Sequence, residues 1–217
     1  MAVLSGKFGV VNGYSHIKNW NLERTSAPEI YRTSATEFGQ FAGDGVTDWS
    51  GGFEGVGEGP PTTLFPGSVF TFQGYTAPTT GIYGNDGVKV TGSAIVDSLT
   101  IDWTWGEGAS QGWSIEFSAA SGVITEESDG IFADTSVVIP DKMCNLVLQT
   151  GASGAEAAWL DLTSASLSIS ADNQSFVNSG TACTTHRTKG PIDWSLSVTE
   201  QSTAMKFALG SDTRFRI

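Results

Sequence analysis

The chain has 217 residues, 39% of them hydrophobic and only 16% charged, with a formal net charge of −12. That length allows one large β domain or two small ones with a real core. Its 11 Lys and Arg, spread through an acidic chain, do not form a phosphate-neutralising surface, and no run reaches the ~18 apolar residues of a membrane helix.

From the N-terminus, "MAVLSGKFGVVNGYSHIKNW" starts apolar but is broken by Gly6 and Lys7, without the charged-then-apolar order of a signal peptide. Strand patterning begins with Ile17, Trp20 and Leu22 set among polar residues. From about 23 to 46 no strand is evident, and a connection of that length in a compact domain reads as functional or interface-forming. Within it Ser34 and Glu37 have capping-box spacing, and Gly39 limits the element to a short turn of helix. "GVTDWSGGFEG" at 45–55 then reads as a strand opening: Gly45 turns the chain, Asp48 holds the turn, and Trp49 and Ser50 begin the strand.

"VFTFQGY" at 69–75 alternates Phe70 and Phe72 against Val69 and Thr71. The run at 88–105 is two strands or one strand bulged at Gly92. "GASQG" at 108–112 matches the Gly-x-Ser-x-Gly of a nucleophile elbow around Ser110, but a strand follows where a helix is required, so it reads as a hairpin turn between Trp105 and Trp113. "GWSIEFSA" at 112–119 sets Trp113, Ile115 and Phe117 against Ser114, Glu116 and Ser118. The carboxylates of "TEESDG" (Glu126, Glu127, Asp129) read as a solvated acidic loop, lacking a calcium-loop ladder. "GASGAEAAWL" at 151–160 has room for another short helical turn. Leu160, Leu162, Leu167 and Ile169 alternate over 159–170, as do Ile192, Trp194, Leu196 and Val198 over 192–199. Alternation puts Trp113 and Trp194 on packed faces and makes core the expected use of most of the seven tryptophans.

Chemistry-bearing constellations are scarce. His16 and His186 sit among polar residues, and no metal-binding, phosphate-binding or dinucleotide motif is present. No catalytic residues, cofactor or metal are expected. Cys144 and Cys183 leave open one disulfide or two thiols.

The motif at 45–50 recurs in "GPIDWSLSVTE" as Gly190, Asp193, Trp194 and Ser195. A shift of 145 positions also aligns Leu22 with Leu167, Ser34 with Ser179 and Thr36 with Thr181, without gaps. This reads as a reused structural half-unit. Asp102-Trp103, lacking the preceding Gly turn, shows that the dipeptide alone is weak.

The first block resembles the tail tube (major tail) proteins of tailed bacteriophages. Trp20, Thr36, Phe38, Gly45, Asp48, Trp49, Ser50 and Gly51 match the first part of that pattern, and Gly92, Ser93, Ala94, Phe117 and Gly122 the second, over about residues 1–122. The expected organisation is a tail-tube-like antiparallel β-sandwich over 1–125, all-β with at most short helices. An additional β segment over 126–217 carries the partial repeat, with room for both to pack as one domain. The resemblance implies sheets that join between subunits into a ring, usually a hexamer, and rings that stack into a tube for DNA ejection. The implied partners are copies of the chain and other tail proteins such as tape measure, terminator or sheath. DNA passes without specific binding, and no membrane is involved. The implied location is the virion tail, after synthesis in the host cytoplasm. Glu54, Asp97, Asp102 and Glu116 are candidates for an acidic lumen lining that repels DNA. The competing readings are a carbohydrate-binding β-sandwich module and a tail-tip ring protein.

Overall fold

The computed structural model describes residues 2–6, 8–11, 17–31, 41–56, 63–76, 88–105, 110–128, 148–151, 157–159, 162–177, 185–201 and 214–216. In chain order the strands are β1 (Ala2–Gly6), β2 (Phe8–Val11), β3 (Ile17–Tyr31), β4 (Phe41–Val56), β5 (Val69–Tyr75), β6 (Val88–Thr104), β7 (Ser110–Ser128), β8 (Leu148–Gly151) and β9 (Ala157–Trp159). Then come β10 (Leu162–Ala171), β11 (Gln174–Phe176), β12 (His186–Thr188), β13 (Ile192–Glu200) and β14 (Arg214–Arg216). The described residues contain no helix, and every strand pair is antiparallel.

Nine strands form the main sheet, seven of them in the order β1-β3-β4-β7-β6-β10-β13, with β5 on β6 and β2 on β5 off that path. The strand β6 is long enough to hold two partners on one edge, with β5 along Lys89–Ile95 and β10 along Ser98–Thr104. The N-terminal strands stitch the sheet together, β1 lying on β3 and β2 on β5. Two small sheets, β11-β12 and β14-β8-β9, stand apart from this ladder. The line drawn at residue 125 falls inside β7, and β10 and β13 extend the same sheet that the first half begins.

Alternation places the core. Phe70 and Phe72 on β5 and Trp113, Ile115 and Phe117 on β7 are buried, together with Trp20, Leu22, Trp49 and Phe53. Phe53 sits at the centre, edge-on to Phe70 and Trp113 and stacked near Phe72. The run at 88–104 is one strand, with register shifts between Thr91 and Ser93 and between Ser93 and Ala94. There Gly92 leaves the space into which Trp49 packs, its Cβ position lying 2.7 Å from the indole. Ser110 begins β7 opposite Thr104, and the residues between Trp105 and Ser110 lie outside the described residues.

Two expectations are corrected. The long connection at 23–46 is largely strand: β3 runs to Tyr31 and β4 begins at Phe41, and the two pair out to Tyr31↔Phe41. A register shift between Ala27 and Glu29 accommodates Pro28, which has no N–H to donate. The helical turn at 33–41 lies outside the described residues apart from Phe41, which is strand. Consequently Gly45, Asp48, Trp49 and Ser50 lie in the interior of β4 and do not open a strand. Gly190, Asp193, Trp194 and Ser195 do stand at the opening of β13. Of the stretch 151–160, Gly151 ends β8 and Ala157–Trp159 form β9, and the short turn expected between them lies outside the described residues. Cys144, Cys183 and His16 lie outside the described residues.

The repeat reappears as pairing register. On β3 and β4, Leu22 faces Gly51, Arg24 faces Trp49 and Thr25 faces Asp48. On β10 and β13, Leu167 faces Leu196, Ile169 faces Trp194 and Ser170 faces Asp193. Each residue of the second set is its counterpart advanced by 145, so the sequence offset is also the offset between two hairpin ladders.

Candidate functional site

Directly opposed residues of an antiparallel sheet share a face, so the registers can be followed across the strands. Asn19, Glu54, Ser114, Thr100, Ser168 and Ser195 form one row from β3 to β13. Asn21, Gly52, Glu116, Ser98, Ser170 and Asp193 form the next. On the other side run Gly112, Asp102, Ser166 and Ser197, then Ser110, Thr104, Ser164 and Thr199. The opposite face of the same strands carries Trp20, Phe53, Ile115, Leu99, Ile169 and Trp194. Strict alternation therefore yields one apolar face and one broad face of hydroxyls, amides and carboxylates.

Three of the four acidic candidates, Glu54, Asp102 and Glu116, come together on that polar face, and Asp193 of the second motif joins them. All four are exposed, and the rows contain no Lys or Arg. Lys18 flanks the face, 3.9 Å from Glu54, with both side chains at least half exposed, so solvent screens most of that attraction. Asn19 Nδ2 donates to Glu54 at 3.1 Å. An open groove of about 270 Å³ crosses the margin, lined by Lys18, Glu54, Gly55, Asp102, Gly112, Trp113 and Ser114.

Asp97 stands at a register shift between Val96 and Ser98, where parity assigns no face. The carboxylate accepts hydrogen bonds from Ser118 Oγ and, at 2.7 Å, from Asn173 Nδ2. Asn173 also donates to Val96 O at 2.9 Å, so Asp97 helps fasten the end of β10 to the bulge in β6.

The first motif is held by a residue the sequence did not single out. Arg187 on β12 grips Asp48 with both nitrogens, Nη1 to Oδ1 at 2.9 Å and Nη2 to Oδ2 at 2.6 Å. Its Nη1 also donates to Ala119 O at 3.1 Å. The pairing of β4 with β7 ends at Ser50↔Ser118, and Arg187 fills the split beyond it. Thr185 N reaches Thr47 O at 3.4 Å alongside. Hydrogen bonding to Asp48 raises the Arg187 guanidinium above its ordinary value against the opposing effect of burial, and the charges of Asp48 and Asp97 add to the rise. Asp48 accepts in addition from Trp49 N at 2.9 Å, so it fixes backbone within the strand as well. An isolated Arg 139 residues away in sequence carries no local signal of such a role.

Of the remaining candidates, Glu126 and Glu127 are exposed on β7 and pair with Arg24 at 2.8 Å and Lys89 at 3.1 Å. His186 lies against Phe176. Among the described residues no His, Cys, Asp and Glu cluster is arranged to hold a metal ion. Compared with family models and with curated proteins, the chain matches none.

Gly190 of the second motif has a steric role. A Cβ there would lie 1.5 Å from the carbonyl oxygen of Asp172, a backbone atom next to the Asp172 N to Pro191 O hydrogen bond of 2.9 Å. Gly190→Ala should therefore push β13 from β10 and cost about 1–3 kcal/mol. Hydrogen exchange should show the loss first in the amides of β13, and unchanged protection there would refute the close-approach account.

Proposed function

We propose that the chain is a subunit of a bacteriophage tail tube, assembling into rings, six subunits being the usual number, that stack into a conduit for DNA ejection. The observation that carries this reading is the broad polar face, on which Glu54, Asp102, Glu116 and Asp193 stand among serines and threonines without a cation in their rows. DNA presents about one phosphate charge per 1.7 Å of axis, and a basic lining would capture it by counterion release. A hydroxyl-rich lining with scattered carboxylates repels DNA within the ~8–10 Å reach of screened charge, so DNA slides through without adhering. The matched positions at Trp20, Gly45, Asp48, Trp49, Ser50, Gly51, Gly92 and Phe117 support the same family. Copies of the chain are the principal partners, and tape-measure, terminator or sheath proteins meet the ends or the outside of the tube.

Negative-stain electron microscopy of the purified chain should show rings or stacked tubes with a central channel. A persistent monomer that binds glycans would overturn the reading in favour of a carbohydrate-binding module. In assembled tubes, changing Glu54, Asp102 and Glu116 together to Lys should create salt-sensitive retention of DNA. A variant tube as inert to DNA as the parent would show that this face does not line the channel.

A further inference from the structure

At the end of the main sheet, β13 pairs among the described residues with β10 on one side only. Natural edge strands are usually guarded by charges, prolines or bulges. The outer half of β7 follows that rule with Glu126 and Glu127. By contrast β13 has no charged residue between Asp193 and Glu200, and its ladder with β10 is regular from Ser164↔Thr199 to Ala171↔Ile192. It also carries Trp194, 63% exposed although it lies in the apolar row beside Ile169. In the first hairpin the corresponding edge of β4, Ser50–Val56, is occupied by β7. There Trp49, the counterpart of Trp194, is buried against Phe117.

We propose that β13 is a self-pairing edge, on which β13 of a second copy of this chain docks antiparallel about a two-fold axis through Leu196. The sequence of the strand selects that occupant. Keeping apolar face beside apolar face requires opposed residues of like parity, and centring on Leu196 overlaps the strand along its whole length, Ile192–Glu200. Trp194 then faces Val198 of the second copy, an aromatic and β-branched pair of the favourable kind. Ser195 faces Ser197, and Asp193 faces Thr199, so no like charges meet. A two-fold contact closes at two copies, whereas a ring needs heterologous contacts. The proposal therefore does not rest on the tube reading.

The test uses exposed residues that leave the core untouched. Sedimentation of the full chain should show a self-associating wild type. Ser195→Lys with Ser197→Lys sets lysines opposite lysines and should weaken that association by about tenfold or more, and Ser195→Glu with Ser197→Glu should do the same. Mixing the two variants one to one should restore the pair. Variants that associate like the wild type, or a mixture that stays monomeric while each variant is folded by circular dichroism, overturn the proposal. So does a monomeric wild type that binds an oligosaccharide through Trp194 and loses it on Trp194→Ala. Rings that persist in both variants overturn the β13 contact and leave the tube reading standing. A charge-switchable dimer without rings supports the β13 contact and overturns the tube reading.

Discussion

Phe117→Ala should lower the stability of the fold by about 3–5 kcal/mol, as full truncation of a buried aromatic does when the site cannot collapse. Phe117 is 1% exposed on β7 and joins rings from two other strands. It meets Trp49 and Phe70 edge-on, at centroid distances of 6.1 and 5.6 Å, and tilts against Phe53 at 5.7 Å and Phe72 at 5.1 Å. Across the ladder Gly51 leaves it room, a Cβ there lying 2.9 Å from the ring. Each neighbouring ring is fixed by its own strand pairing, so the vacated space would stay largely open. Chemical denaturation should show the loss as a lower midpoint with an unchanged slope, and Phe117→Leu should recover more than half of it. A midpoint that barely moves would mean that these rings are not part of one cooperative core.

The same residue shows what the sequence made legible. Strict alternation in "GWSIEFSA" identified Trp113, Ile115 and Phe117 as one face, and all three are buried. Alternation reports a covered face, and it failed where the chain leaves the core. Thr25, Ser26 and Ala27 on β3 are exposed, and Ile30 is 65% exposed, so with little surface to bury this arm carries no period for a reader to detect. The converse error fell on Trp194. Its alternation with Leu196 and Val198 gives the correct face, but a period cannot say whether anything lies over that face. Three of the four acidic candidates were placed together by parity, since Glu54, Asp102 and Glu116 all oppose packed positions on their own strands. Asp97 lies at a bulge, where parity assigns no face. The repeat was legible as an offset, and the offset proved to be a ladder register.

Breaking the clasp between Arg187 and Asp48 of the first motif should cost about 3 kcal/mol from either side. Arg187 and Asp48 keep only 15% and 29% of their side-chain surface, so removing one partner strands a charge that water cannot fully recover. Asp48→Ala leaves the guanidinium with the Ala119 carbonyl and the charge of Asp97, to which it is not bonded. Arg187→Ala leaves the carboxylate in the split between β4 and β7. The double variant should lose less than the sum of the two, with a coupling of about 2 kcal/mol in a double-mutant cycle. Arg187→Lys should rescue little, because an ammonium cannot span both carboxylate oxygens and the carbonyl with one planar fork. Added salt should change the coupling only slightly, since partly buried pairs are poorly screened. The spatial readout separates a clasp from a general core effect: hydrogen exchange should quicken at Thr185–Thr188 and around Thr47 while β6 keeps its protection. A cycle showing no coupling would reduce the contact to a surface ion pair. The expected result instead makes the segment before the second motif the element that seals the first.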